Sequence, residues 1–233
     1  MSVAAILLCG GSGARLGLEV AKPLVPLAGR PLFAWSLEAL ERCSAIDHIV
    51  VVGPVKPLRD AAAACGLAAA KVMAWGAGGR ERQQSVARGL AALPADAEIV
   101  AVHDCARALI EPALIARVVL EARTHGAAIA AIALDDTLKR GTLARIEATV
   151  PRAHLWRAQT PQVFRRDWFE AAHAQAVGHA TDDAALVEAL GHPVALVDGD
   201  PVNFKITAAR DLALAEAWLE AREARATTGG GAR

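Results

Sequence analysis

The feature that most constrains the fold is a short apolar run that ends in glycines near the start of the chain. Residues 4–9 are continuously apolar, and Gly10, Gly11, Ser12 and Gly13 follow directly. An apolar run of this length, followed by turn residues, is typical of an interior strand of a parallel sheet. We therefore expect a buried β-strand whose carboxyl end opens into a glycine-rich loop.

The same loop has the chemistry of a phosphate site. Glycines allow backbone N–H groups to approach an anion, and Arg15 and Lys22 add two separated positive charges. Our first hypothesis is a site for a nucleoside triphosphate. The alternative is a strand-to-helix turn that carries incidental cations.

Two familiar phosphate-binding loops do not fit this stretch. A dinucleotide-binding G-x-G-x-x-G read from Gly11 has Leu16 at its sixth position instead of glycine. A P-loop requires Ser or Thr after its lysine, whereas Lys22 is followed by Pro23. The loop is therefore assigned to neither class.

Charge and composition limit the kinds of partner. The chain has 233 residues, 25 Lys plus Arg and 25 Asp plus Glu, so its net charge is zero and any binding of anions must be local. With five Trp, four Phe and no Tyr, it offers no evident stacking surface for single-stranded nucleic acid. We expect neither nucleic acid nor membrane as a partner.

The cysteines bear on the cellular compartment. Cys9, Cys43, Cys65 and Cys105 show no C-x-x-C spacing and lie in apolar runs, so reduced buried thiols are expected rather than disulfides or zinc ligands. No stretch resembles a signal peptide or reaches the length of a membrane span. These observations favour a cytoplasmic protein.

The remaining chain alternates between strand-like and helix-like segments. This order predicts an α/β fold with a mainly parallel sheet flanked by helices, and ligands bind such sheets at the carboxyl ends of the strands. Thr181 is predicted to be the N-cap of the helix that it begins. Predicted strands cover 46–52, 70–75, 98–102, 127–134 and 193–197, with an extended piece at 203–207, and predicted helices cover 31–43, 56–65, 83–93, 112–124, 166–177, 181–190 and 211–222.

The alternation is interrupted after residue 135. Residues 136–160 combine turn residues with short β-prone pieces, which predicts a protruding β arm on a single domain spanning 1–225. Such an arm has little core of its own, so we expect it to pair with a second subunit. A disordered insert is the alternative. Residues 226–233 are predicted to be a disordered tail.

Most charged residues near predicted strand ends are cations. An excess of fixed positive charge suits phosphate substrates, since phosphoryl chemistry depends mainly on positioning and charge neutralisation. Each charged candidate also has a structural interpretation. Asp104 could cap a loop, and Arg107 and Arg152 could form surface ion pairs. Lys205 could be a charge on an edge strand. The candidates are Arg15, Lys22, Arg82, Arg107, Arg152 and Lys205, with Asp104 as the clearest acid.

Taken together, these motifs resemble the 2-C-methyl-D-erythritol 4-phosphate cytidylyltransferase family. The chain departs from the family pattern at Cys9, Gly10 and Cys105, where alanine is usual, and at Leu8 and Ala108, where proline is usual. The resemblance extends over roughly residues 3–220 and rests on residues 10–15 with 22–24, 78–79 with Arg82 and 85–86, 103–107, 136–139, 149–152, 155–156, 159–162, 181–182 and 203–207.

The resemblance implies a reaction and an assembly. The reaction is transfer of a cytidylyl group from CTP to the phosphate of methylerythritol phosphate, releasing pyrophosphate, in isoprenoid precursor biosynthesis. The implied fold is a Rossmann-like nucleotidyltransferase, usually a homodimer whose arms reach the partner's site. Mg²⁺ is implied as a cofactor bound mainly through the CTP phosphates, with no protein residue assigned as its ligand.

The resemblance also implies roles for individual residues. Arg15 and Lys22 would stabilise the transition state at the α-phosphate, and Arg152 and Lys205 would place the attacking phosphate. Nucleotide-binding positions are Gly10, Gly11, Ser12, Gly13, Gly79, Arg82 and Ser85, and substrate-binding positions are Asp104, Arg107 and, on the arm, Thr137. Two alternatives stay open: a cytidylyltransferase for another polyol phosphate such as ribitol 5-phosphate, and a nucleotide-binding domain without turnover.

Overall fold

The computed structural model describes residues 1–13, 20–178 and 180–229, with side chains described up to residue 225. Arg15 lies outside the described residues. The strands are β1 Ser2–Leu8, β2 Pro26–Leu27, β3 Arg30–Pro31, β4 His48–Val52, β5 Val72–Gly76, β6 Ala97–Asp104, β7 Ala127–Ala133, β8 Leu138–Gly141, β9 Ile146–Val150, β10 Trp156–Arg165 and β11 Ala195–Asp198. The helices are α1 Leu32–Arg42, α2 Val55–Ala64, α3 Arg82–Ala91, α4 Pro112–His125, α5 Arg166–Gln175, α6 Asp183–Ala189 and α7 Ala209–Gly229.

Seven strands form the central sheet, in the order β11-β7-β10-β6-β1-β4-β5. All neighbouring pairs are parallel except those made by β10, which runs antiparallel to both β6 and β7. The predicted mainly parallel α/β sheet is confirmed. Because β1 lies in the interior of the sheet, its carboxyl end and that of β6 open at the same edge.

The two faces of the sheet are covered by different helices. Alternate residues of β1 point to opposite faces, so Val3, Ala5 and Leu7 join the core with α1, α2 and α4, whereas Ala4 and Ile6 join the core with α3, α5 and α6. Both faces of β1 are therefore buried, which explains its unbroken apolar sequence. A third, smaller apolar cluster holds α7 against the segment that contains β2 and β3.

The arm is shorter than its sequence indicates. Strands β8 and β9 form an antiparallel hairpin, but residues 156–160, predicted to be arm, already belong to β10 of the central sheet. The sequence did not indicate a buried strand here, because three of the buried side chains of β10 are polar. Gln159, Thr160 and Gln162 are each less than 5% exposed. Their hydrogen bonds make this burial tolerable.

Three other local predictions need correction. The N-cap of α6 is Asp182 rather than Thr181, because the Asp182 carboxylate accepts the N–H of Ala185 at 3.0 Å. Residues 203–207 are not a strand; Ile206 donates its N–H to the carbonyl of Ala106 outside any sheet. Helix α7 extends through 226–229, the first half of the predicted disordered tail, and residues 230–233 lie outside the described residues. The alanine-rich helix continues because nothing in 223–228 is a helix breaker.

Candidate active site

A cavity of about 320 Å³ opens at the carboxyl ends of β1 and β6. Parts of the chain that are far apart in sequence meet here. The walls include the glycine loop after β1, a second glycine-rich loop at residues 76–79 at the end of β5, and the segment after β11. The predicted site residues that line it are Gly10, Gly11, Lys22, Gly79, Arg82, Ser85, Asp104 and Lys205. The structure thus brings most of the predicted positions together around one cavity.

The first glycine loop depends on conformations that glycine adopts without strain. Gly11 and Gly13 have φ angles of +107° and +73°. A Cβ at Gly13 would lie 2.4 Å from the carbonyl oxygen of Val20, so a larger residue cannot be accommodated there without a backbone shift. The N–H of Lys22 donates to the carbonyl of Gly11 at 3.1 Å, which holds the lysine beside the loop.

The second glycine loop is tied to the first turn of α3. The hydroxyl of Ser85 accepts the N–H of Gly79 at 2.9 Å and donates to the carbonyl of Glu81 at 3.1 Å. One side chain thereby fixes the loop relative to the helix. Both Gly79 and Ser85 line the same cavity as the first loop.

Asp104 joins two cations on the wall of the cavity. One carboxylate oxygen, Oδ1, lies 3.1 Å from Nε of Arg82, and the other, Oδ2, lies 2.7 Å from Nζ of Lys205. Burial raises the pKa of Asp104, but the charges of Arg82 and Lys205 outweigh it and hold that pKa well below its usual range. Asp104 is therefore an ionised anchor for two cations rather than the cap of a loop.

Arg82 is shared between two carboxylates. Its Nη2 lies 2.7 Å from Oδ2 of Asp183, the first residue of α6, whose side chain is only 2% exposed. Burial lowers the pKa of Arg82, but Asp183 and Asp104 raise it further, so the guanidinium stays charged. Burial raises the pKa of Asp183 despite the opposing effect of Arg82. Sequence reasoning missed Asp183; its only signal was an acid pair at the start of a helix.

Arg107 lies beside the cavity rather than in its wall. Its guanidinium donates to the carbonyls of Asn203 at 2.9 Å and Ala158 at 3.3 Å, so it is not a surface ion pair. It lines an adjoining cavity of about 260 Å³ together with Arg157 and Lys205. Lys205 thus separates two neighbouring spaces, and it does not lie on an edge strand.

The remaining predicted positions are not part of the cavity wall. Ser12 and Gly13 belong to the glycine loop without lining the cavity, and Arg15 lies outside the described residues. Thr137 and Arg152 flank the exposed hairpin, away from both cavities. Large apolar side chains are exposed around them: Leu143 and Ile146 in the hairpin, and Leu155 and Trp156 where the chain enters β10.

Neither a metal cluster nor a membrane-spanning helix is found among the described residues. No group of three or more His, Cys, Asp or Glu side chains is arranged to hold a metal ion in the part of the chain described. Within the same residues, no helix is both long and apolar enough to cross a membrane.

The mainly parallel sheet, the two glycine loops and the cationic cavity at its carboxyl edge are typical of a nucleotidyltransferase. The model of the family described as 2-C-methyl-D-erythritol 4-phosphate cytidylyltransferase matches residues 3–221. The chain therefore belongs to this family, as its motifs predict.

Individual relatives agree with this assignment. The chain is similar to the 2-C-methyl-D-erythritol 4-phosphate cytidylyltransferase of Pelotomaculum thermopropionicum, at 44% identity over 98% of this chain and 99% of that one. The protein of the same name from Prochlorococcus marinus is 42% identical over 93% and 98% of the two chains. The crystal structure of the Thermus thermophilus cytidylyltransferase is similar with a TM-score of 0.77 and 35% identity, covering 94% of this chain and 98% of that one.

Proposed function

We propose that this chain transfers the cytidylyl group of CTP to the phosphate of 2-C-methyl-D-erythritol 4-phosphate and releases pyrophosphate. The observation that carries the proposal is the placement of Lys205 against Asp104, at 2.7 Å, on the same cavity as Lys22 and the glycine loop. A triphosphate on the loop and a second phosphate beside Lys205 would then meet across one small space. A cytoplasmic location fits this proposal, since all four cysteines are free thiols.

The reaction requires charge neutralisation rather than a base. The attacking phosphate oxygen is already an anion, so the main obstacle is its repulsion from the phosphates of CTP. Lys22 and the N–H groups of the glycine loop would bind the triphosphate, while Lys205 would hold the attacking phosphate. Asp104 takes no proton in this scheme, because its carboxylate stays ionised between Arg82 and Lys205.

A magnesium ion fits this site if the nucleotide carries it. The carboxylates on the cavity wall are Asp104, which is engaged by two cations, and Glu81. Mg²⁺ is commonly bound through substrate phosphates with few protein ligands. When bound, the ion supplies neutralisation of charge on the phosphates, and the chain would hold it indirectly through the triphosphate beside Lys22.

The arm supports a homodimer in which each protomer completes its partner's site. The hairpin exposes Leu143 fully and Ile146 to 64%, which is unusual for large apolar side chains unless another surface covers them. Thr137 and Arg152, predicted to serve the acceptor, lie at the base of this hairpin and outside the cavity of their own chain. An arm that crosses to a second copy would bring them to a cavity.

A pyrophosphate-release assay tests the proposed reaction. The purified chain is given CTP and Mg²⁺ with methylerythritol phosphate, with ribitol 5-phosphate, or with no acceptor. We expect release only with methylerythritol phosphate. Faster release with ribitol 5-phosphate would show that the acceptor is a different polyol phosphate. No product with any acceptor would indicate a nucleotide-binding domain without turnover.

Subunit mixing tests the crossed arms. Lys22→Ala and Arg152→Ala chains are each nearly inactive if both residues are needed, but a mixed dimer would have one intact site. Random exchange should therefore restore about a quarter of wild-type activity. The control is Arg145→Ala, which removes an exposed arginine from the tip of the same hairpin and should be active alone. No recovery on mixing, or a monomeric mass in light scattering, would contradict the crossed arrangement.

A further inference from the structure

Thr160 is a buried polar residue in the middle of the central sheet that the proposed reaction does not use. It is 4% exposed and lies in β10, where the pairing with β7 shifts register between Ala158 and Gln162. A hydroxyl in this position is costly unless its hydrogen bonds are satisfied. Its partners therefore show what it contributes.

The hydroxyl of Thr160 connects the backbone of Asp104 to the ring of His103. It accepts the N–H of Asp104 at 3.1 Å and lies 3.0 Å from Nδ1 of His103. Nε2 of the same ring lies 3.4 Å from the carbonyl of Arg107, which can only accept, so the ring proton is assigned to Nε2. In the neutral ring Nδ1 then accepts the hydroxyl hydrogen of Thr160. This arrangement requires a neutral imidazole, and burial lowers the pKa of His103 to about 4.

The backbone of Thr160 connects to the other end of the same ion pair. Its carbonyl accepts from Nδ2 of Asn203 at 2.8 Å, and the same Nδ2 donates to Oε1 of Gln159 at 3.1 Å. Asn203 is two residues before Lys205, whose Nζ returns to the Asp104 carboxylate at 2.7 Å. The contacts form a closed circuit from Thr160 through Asp104 and Lys205 back to Thr160.

We propose that Thr160 is a positioning residue that sets the location of the Asp104–Lys205 pair from both sides. Its hydroxyl fixes the backbone of Asp104, and its carbonyl fixes the segment that carries Lys205. The proposed function assigns Lys205 to the attacking phosphate, so Thr160 should affect binding of the acceptor more than binding of CTP. This selectivity for the acceptor rests on the proposed function.

Two substitutions at Thr160 separate positioning from general stability. Thr160→Val keeps the β-branched shape and removes the hydroxyl, whereas Thr160→Ser keeps the hydroxyl and removes a methyl group. We expect Thr160→Val to raise the KM for methylerythritol phosphate about tenfold, as for one unsatisfied buried donor, with the KM for CTP within about twofold of wild type. Because Thr160→Ser keeps the hydroxyl, its KM for methylerythritol phosphate should stay close to that of the wild type. The matched control is Thr124→Val, at an exposed position of α4.

The pattern of kinetic constants decides the outcome. An unchanged acceptor KM in Thr160→Val, an equal rise in both KM values, or no recovery in Thr160→Ser would each overturn the proposal. A merely structural role would lower the melting temperature and the active fraction without this selectivity.

A second test uses the wild-type chain, so its result does not depend on whether a variant folds. Long-range ¹H–¹⁵N spectra of the full chain should show His103 as a neutral ring protonated on Nε2 at pH 7. A ring protonated on Nδ1, or a charged ring, would refute the hydrogen-bond circuit. This result is independent of turnover, so a chain that transfers CMP to no acceptor would overturn the proposed function and leave the circuit to be judged by the spectra.

Discussion

Replacing Asp104 with asparagine removes the one negative charge that holds Arg82 and Lys205 together. The substitution keeps the size of the side chain and leaves its backbone bond to Thr160 in place. We expect a folded but less stable chain with weakened binding of the acceptor phosphate, because Lys205 loses its anchor at 2.7 Å.

The magnitude follows from the exposure of each partner. Removing one member of a fully buried ion pair costs about 3–5 kcal/mol of unfolding free energy. Two features reduce this cost: Arg82 keeps Asp183 at 2.7 Å, and the Lys205 side chain is 41% exposed and can be rehydrated. The lysine contact therefore counts as a surface pair, worth about 0–1 kcal/mol. The expected loss is about 2–3 kcal/mol at pH 7.

The pH dependence of this loss has a definite sign. The pKa of Asp104 is depressed in the folded chain, so its stabilisation is fully present above the unfolded value near 4 and is lost as pH falls toward the folded value. The difference between wild type and Asp104→Asn should be constant from about pH 5 to 8 and shrink below about pH 4.

Urea unfolding at several pH values measures the difference directly. The matched control is Asp60→Asn, which breaks an exposed i,i+4 pair with Lys56 and should cost about 0.5 kcal/mol or less. If Asp104→Asn is as stable as the control at pH 7, or if its deficit grows on acidification, the electrostatic reasoning is wrong.

Other substitutions give simpler outcomes. Lys22→Ala should reduce turnover by about 100- to 1000-fold, as for loss of one transition-state donor, with an unchanged melting temperature; steady-state turnover within about threefold of wild type would contradict its assigned role. Gly126→Ala should lower the free energy of unfolding by about 2 kcal/mol or more, because φ is +88° and a Cβ would lie 2.3 Å from the Trp168 ring. Gly66→Ala, at φ +61° with open space around it, is the control in urea unfolding and should lose about 1 kcal/mol; equal losses would exclude the steric contribution of the Trp168 ring.

Much of the fold was accessible from sequence because local periodicity reports burial. The runs that became β1 and β4 are apolar on both faces, and the next helix after each of β1, β4, β5 and β6 packs its apolar face on the sheet. Strand β10 was not predicted from the sequence, because its register and direction depend on partners that are distant in the chain. Its buried Gln159 and Thr160 bond to residues about 40 and 57 positions away, which no local pattern encodes.

The functional site also contains both residues that the sequence could identify and residues that it could not. Lys22, Gly79 and Asp104 follow strand-like runs, so their convergence at one sheet edge could be predicted, while their individual roles stay predictions. Asp183 could not be identified, because it starts a helix far along the chain and reaches Arg82 only through the packing of α6 on the sheet.

The position of β10 also constrains the order in which the chain can fold. Strands β5, β4, β1 and β6 are contiguous in the sheet and complete by residue 104, so this half can form early during synthesis. Strand β7 is made next but has no place beside β6, because β10 must occupy that position first. We expect nascent chains shorter than about 165 residues to hold β7 and its helix α4 outside a finished sheet, exposed to chaperones until β10 emerges.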